Sequence, residues 1–120
     1  MLEKKVSGYV KYWAKQLRIQ DWVISIKEHT DPEEFHGFAS IKHHFNSQTA
    51  LLEYLDPQYI PEDWTGVRDL EVSVVHELLH TRFIWCIPAK KINHFEEQAI
   101  EQTAQVLVAL RRGVKAEDLV

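Results

Sequence analysis

The spacing of hydrophobic and polar positions changes several times along the first half of the chain. Apolar residues recur at helical spacing over residues 2–18, which predicts an amphipathic helix packed on a core. The segment "DWVISIK" then alternates with a period of two and predicts a strand over residues 22–28. Two further extended segments, residues 38–45 and 49–55, flank the turn-forming "NSQ" and predict a hairpin.

The second half of the chain is predicted to be helical. Residues 69–86 follow the helix-capping Asp69 and precede Pro88, and their apolar side chains fall on two opposite sides of the predicted helix. Such a helix is expected to be covered on both sides. A final helix is predicted over residues 93–111, with Gly113 at its end. Its expected inward face consists of Ala99, Ile100, Thr103, Val106, Leu107 and Leu110.

The order of these elements predicts a single α+β domain over residues 1–120, with a small, mostly antiparallel three-stranded sheet. Hydrophobic residues make up 45% and charged residues 27% of the chain, which is typical of a soluble globular protein. A chain of 120 residues buries roughly two thirds of its unfolded surface. A metal ion is therefore not needed merely to make it fold.

The composition also excludes several classes of partner. A net charge of −4 argues against a surface that binds nucleic acid, which needs clustered lysine and arginine. No window approaches the ~20 apolar residues of a membrane span, and charges near the start interrupt any signal-peptide core. The lone Cys86 suits a reducing compartment, so we expect a cytoplasmic protein. The oligomeric state has no signature in the sequence.

One stretch of the predicted central helix combines residue types that can bind a metal ion. Residues 76–80 spell HELLH, which places His76 and His80 about 40° apart around a helix, so both imidazoles can bind one ion. Glu77 can reach a water on that ion without being a ligand. The alternative is that both histidines are structural, hydrogen-bonded to neighbours, with Glu77 as a salt-bridge partner.

A catalytic zinc ion generally has three protein ligands and one open position. Two histidines and one carboxylate favour Zn²⁺ among the common metals. The final helix offers Glu96, Glu97 and Glu101 as the third ligand, because a helix that returns after a short connection can bring a side chain back onto the ion.

With HELLH followed by "EEQAIE", the sequence resembles the zincin metallopeptidases of the gluzincin type, in particular the minimal single-domain minigluzincins and small phage-encoded metallopeptidases. The resemblance implies a minimal zincin-like domain in which a glutamate of the following helix is the third zinc ligand. An acidic or amide residue four positions later then orients the first histidine. Glu97 as ligand and Glu101 as its partner match that spacing, while Glu96 or Glu101 as ligand remains open.

The same resemblance implies a zinc metallopeptidase in which Glu77 is the general base. Its substrate is expected to be a peptide or an unfolded protein that adds a strand to the sheet edge, and we expect residues 49–55 to form that edge. The donor that stabilises the oxyanion is left open among Tyr54, Tyr59, His43, His44 and His94. The main alternative is a non-catalytic, zinc-stabilised binding or accessory module of phage or prokaryotic origin.

Overall fold

The computed structural model describes residues 2–85 and 92–119. Within them the chain is α+β, with three helices and a three-stranded mixed sheet. None of the helices within these two ranges combines the length and the apolar character that a membrane span requires. The elements are α1 (Leu2–Gln16), β1 (Val23–His29), β2 (Ala39–His44), β3 (Thr49–Leu55), α2 (Leu70–Arg82) and α3 (His94–Arg112), with short 3₁₀ turns at Pro57–Tyr59 and Ala116–Asp118.

Helix α1 packs its apolar stripe into the core, as predicted. Val6, Val10 and Trp13 lie three or four residues apart, so they share one face of the helix and are all buried. That face contacts β1 and α2. The lysines on the other faces stay in water, which makes α1 a covering element of the core.

The sheet has the strand order β1–β3–β2, with β2 antiparallel and β1 parallel to β3. The prediction of a hairpin is confirmed by the β2–β3 pair. The sheet is mixed, because only the β2–β3 pair is antiparallel as predicted, whereas β1 joins the other side of β3 and runs in the same direction as β3. Local alternation predicts that a segment is a strand, but it carries no information on the direction of a neighbour distant in sequence.

Strand β3 is the central strand, so the prediction that residues 49–55 form the sheet edge is wrong. Ala50, Leu52 and Tyr54 are buried, which suits a strand with a neighbour on each side. The edge beside α2 is β2, whose sequence "ASIKHH" contains the polar and charged side chains common on edge strands.

Helix α2 crosses the centre of the molecule between the sheet, α1 and α3. Asp69 caps it as predicted, accepting a hydrogen bond from the Val72 N–H at 3.2 Å. Both apolar sides are buried, including Val74, Val75, Leu78 and Leu79. The helix ends at Arg82 and residues 83–85 form a turn, so it is shorter than predicted; its predicted end at residue 86 lies outside the described residues, as does Cys86.

Helix α3 begins after Asn93, whose side chain accepts a hydrogen bond from the Glu96 N–H at 2.8 Å, and ends at Gly113 as predicted.

The predicted inward face of α3 is wrong for most of its members. Ile100 is buried and Leu107 is half-buried, but Ala99, Thr103, Val106 and Leu110 are exposed. The buried positions are Ile100, Ala104, Val108 and Ala109. The inward stripe also contains Glu97 and Glu101, and hydrophobic periodicity cannot identify a buried stripe that is partly acidic.

A buried carboxylate joins the three helices. Glu71 is 3% exposed and accepts hydrogen bonds from Trp13 at 2.7 Å, Arg111 at 2.5 Å and Arg112 at 2.9 Å. A buried charge is tolerated when it is paired and hydrogen-bonded. This network fixes the start of α2 against the end of α3, which in turn sets how the two helices meet further along.

Candidate metal centre

Helix α2 brings the HELLH side chains together at its face toward α3. The imidazoles of His76 and His80 have ring centroids 5.2 Å apart. Potential ligand atoms of His76, Glu77 and His80 all lie within 4.8 Å of one another. The spacing of one helical turn produces this proximity, as the sequence predicted.

Glu97 of α3 completes the group. Its Oε1 lies 3.2 Å from the Nε2 atom of His80 and in direct contact with the Nε2 atom of His76. Two ligand atoms of one tetrahedral zinc ion stand roughly 3.3 Å apart, given bond lengths of about 2.0 Å. No contact from Glu96 to either histidine occurs in the described ranges 2–85 and 92–119.

Glu77 and Glu97 are both candidates for the third ligand, and their positions differ. Glu97 contacts both imidazoles through one oxygen, whereas the nearest Glu77 oxygen is 3.9 Å from the Nε2 atom of His76. Glu97 is therefore the better placed of the two to share an ion with the histidines. Glu77 is left beside that point with its carboxylate available for other chemistry.

Glu101 fixes the orientation of the His76 ring. The Nδ1 atom of His76 lies 2.8 Å from Oε1 of Glu101, and an ionised carboxylate can only accept, so Nδ1–H is the donor. Gln105 donates to the other oxygen of Glu101 at 2.8 Å. This arrangement directs Nε2 of His76 toward Glu97 and leaves that atom available to a metal ion, a hydrogen-bonding pattern common among metal-binding histidines.

Burial and the charges of neighbouring side chains shift the pKa values of His76 and Glu77. Burial favours the neutral ring of His76, but the hydrogen bond to Glu101 and the charges of Glu77 and Glu97 outweigh it and raise its pKa to about 9. Burial raises the pKa of Glu77 to about 8, partly opposed by His76. The folded protein without metal thus holds extra protons at this site.

The other two side chains are shifted in the direction that suits ligation. Burial lowers the pKa of His80, with Glu97 opposing, so the ring is neutral at pH 7 and its nitrogen can bind a metal. Glu97 is partly buried, yet its contacts with His76 and His80 outweigh desolvation and lower its pKa. An ionised carboxylate and imidazole nitrogens are the donor set that suits zinc, so the residues present fit that ion.

A cavity of about 420 Å³ opens beside these residues. Its polar wall comes from α2 and α3, and its apolar wall comes from Phe38 and Ala39 at the start of β2 and from Val67. Gly66 adopts φ +123° and lies so close to the Phe38 ring that a Cβ atom would stand 2.9 Å from it. Sequence reasoning missed this apolar wall, because its residues come from separate segments without a shared spacing.

The candidates for the oxyanion donor differ in whether they line this cavity. His94 lines the cavity together with His76 and Glu77. Tyr54 is fully buried and its hydroxyl donates to Glu28 at 3.0 Å, while His43 Nε2 pairs with the Thr81 hydroxyl at 2.7 Å. Tyr59 and His44 are exposed and do not line this cavity.

Comparison with family models, with curated proteins and with solved structures finds no match to the sequence or the fold.

Proposed function

We propose that the protein is a zinc-dependent metallopeptidase, with His76, His80 and Glu97 as the zinc ligands and Glu77 as the general base. The observation that carries this proposal is the contact of one Glu97 oxygen with both Nε2 atoms, beside the Glu77 carboxylate, which is partly buried and not needed as a ligand. A purely structural metal site has no use for that additional carboxylate.

Each residue of the site has its own role in the proposed reaction. Zinc, when bound, supplies a Lewis acid that lowers the pKa of water and polarises a carbonyl. Glu77 takes the proton of the attacking water and returns it to the leaving amine, for which a carboxylate in a low-dielectric site is suited. Glu101 keeps His76 in the ligating tautomer, and His94 is the candidate donor to the carbonyl oxygen.

The substrate is a peptide or unfolded protein segment that pairs with β2. This strand is a sheet edge, it packs against α2, and Ala39 at its start lines the cavity. Main-chain pairing to an edge strand holds an extended segment across the site with little dependence on its side chains.

A second function, a zinc-stabilised binding module, is favoured by one observation. The ligands come from two helices, so an ion at this point would tie α2 to α3 as structural zinc does. The two functions differ in whether the metal-loaded protein cleaves a substrate.

The test is metal analysis of the purified protein together with cleavage of an unstructured protein such as casein. We expect one zinc ion per chain and cleavage that stops with a chelator and returns with added zinc. Bound zinc without chelator-sensitive cleavage would favour the binding module. A chain that binds no zinc at micromolar concentration would refute both functions.

A further inference from the structure

The outward face of α3 is apolar although it lies in water. Phe95 is 79%, Val106 48% and Leu110 72% exposed, and Ala99 and Thr103 between them are also exposed. These five residues, which we call the α3 outer stripe, fall within about 80° around the helix. Single exposed apolar residues are ordinary, but an aligned set of this kind is typical of a contact surface.

The stripe itself contains no charged residue. Of the charged residues of α3, Glu97 and Glu101 face α2, and Arg111 and Arg112 pair with Glu71 at the end of the helix. Glu96 borders the stripe, but only at its first turn.

The polar groups in and beside the stripe are compatible with a packed contact. Gln98 and Gln102 flank it on one side and carry no charge. Thr103 donates its hydroxyl to the Ala99 carbonyl at 2.7 Å, so its polar group is satisfied within the helix. Burying this face therefore leaves no charge without a partner and no hydroxyl without an acceptor.

The order of side chains along the stripe suits an antiparallel copy of itself. A copy centred between residues 102 and 103 places Phe95 opposite Leu110, and Ala99 opposite Val106. The small Ala99 thereby meets a larger side chain, and the two Phe95 rings do not compete for the same space. Self-complementarity about one centre is the requirement for a two-fold, isologous interface.

We propose that the α3 outer stripe is the interface of a homodimer, in which two copies of α3 pack antiparallel about a two-fold axis near Gln102 and Thr103. An uncharged stripe can face its own copy without charge repulsion, and the Glu96 side chains of the two copies lie at opposite ends of the pair. A charged partner would find no side chain of opposite charge in the stripe. Glu97 and Glu101 lie on the other side of α3, so the dimer leaves both candidate metal centres uncovered.

The expected dimer is weak. The stripe spans 15 residue steps from Phe95 to Leu110, about 22 Å of helix, and a single helix pair buries less than the ~800 Å² per partner of stable complexes. We therefore expect a reversible monomer–dimer equilibrium that shifts over chain concentrations of about 10 μM to about 1 mM.

The test is sedimentation equilibrium of the full chain over that range, with two variants and their mixture. Phe95→Lys and Leu110→Glu should each weaken dimerisation about tenfold or more. In the mixed dimer, the introduced lysine of one copy faces the introduced glutamate of the other, while the second contact keeps its native pair of Phe95 and Leu110. The mixed dimer should therefore form at least about tenfold more tightly than either variant alone.

Val23→Lys is the matched control, because Val23 is 65% exposed on β1, outside the stripe, and its substitution should leave the equilibrium unchanged. Circular dichroism confirms that each variant is folded. A parent chain that stays monomeric up to about 1 mM overturns the proposal, and so does a mixture no tighter than its components.

Discussion

His76 and Glu101 are joined by a hydrogen bond between α2 and α3, 2.8 Å from Nδ1 to Oε1. The bond occupies one ring nitrogen and directs the other toward Glu97, so it determines which atom of His76 is available for a metal. Glu101→Ala should therefore weaken zinc binding about 10- to 100-fold without removing a ligand. Competition with a chromophoric chelator measures the zinc affinity. Glu101→Gln can still accept a hydrogen bond from Nδ1–H, so its zinc affinity should fall less than that of Glu101→Ala. Unchanged affinity in Glu101→Ala would contradict the positioning role.

Glu77→Gln should bind zinc like the parent but lose peptide cleavage by at least about 100-fold, because an amide cannot take the proton of the attacking water. Zinc content and the rate of casein cleavage are measured on the same preparation. Cleavage at the parental rate would show that another group is the general base.

The third ligand is tested by a pair of neighbouring variants. Glu97→Ala should reduce zinc affinity far more than Glu96→Ala, because Glu97 contacts both histidines and Glu96 contacts neither within the described residues. His80→Ala should lose the metal and serves as the reference for complete loss. Equal effects of the two glutamate substitutions would refute Glu97 as ligand.

The free energy of unfolding of the metal-free protein should fall as the pH rises from about 7 to about 9. His76 and Glu77 have folded-state pKa values of about 9 and about 8, above their values of 6.5 and 4.5 in the unfolded chain. Each group therefore stabilises the fold at low pH and loses that contribution as the pH rises through its folded-state pKa. His80 is already neutral over this range, since its pKa is lowered.

Urea titrations in the presence of a chelator measure this slope, and Glu77→Gln should reduce it because one of the two titrating groups is gone. Zinc affinity should change in the opposite sense, rising over the same pH range, because zinc competes with the proton on His76. A stability that is flat or increases from pH 7 to 9 without metal would contradict the assigned shifts.

Glu71→Ala should destabilise the protein by about 2 kcal/mol, since the buried Trp13 N–H loses its acceptor and Arg111 loses its ion-pair partner. The partly exposed Arg112 keeps its hydrogen bonds to Asp69. The free energy of unfolding from urea denaturation checks this value. Glu117→Ala, on an exposed 3₁₀ turn, is the control and should change stability by less than about 0.5 kcal/mol.

The sequence was sufficient wherever a property depends on one segment alone. Helical spacing predicted α1, and the cap at Asp69 and the end at Gly113 depend on a few neighbouring residues. The side-by-side placement of His76 and His80 follows from helix geometry once the segment is helical. These features are local, and so they could be predicted before any tertiary contact was known.

The tertiary structure decided what depends on segments far apart in the chain. Strand order made β3 central and β2 the edge, since pairing depends on which strands approach one another and not on the alternation within each. The packing of α3 on α2 selected Glu97 over Glu96 for contact with the histidines and left Val106 and Leu110 in water. Periodicity reports that a helix has an apolar side, but only its neighbours determine which side is covered.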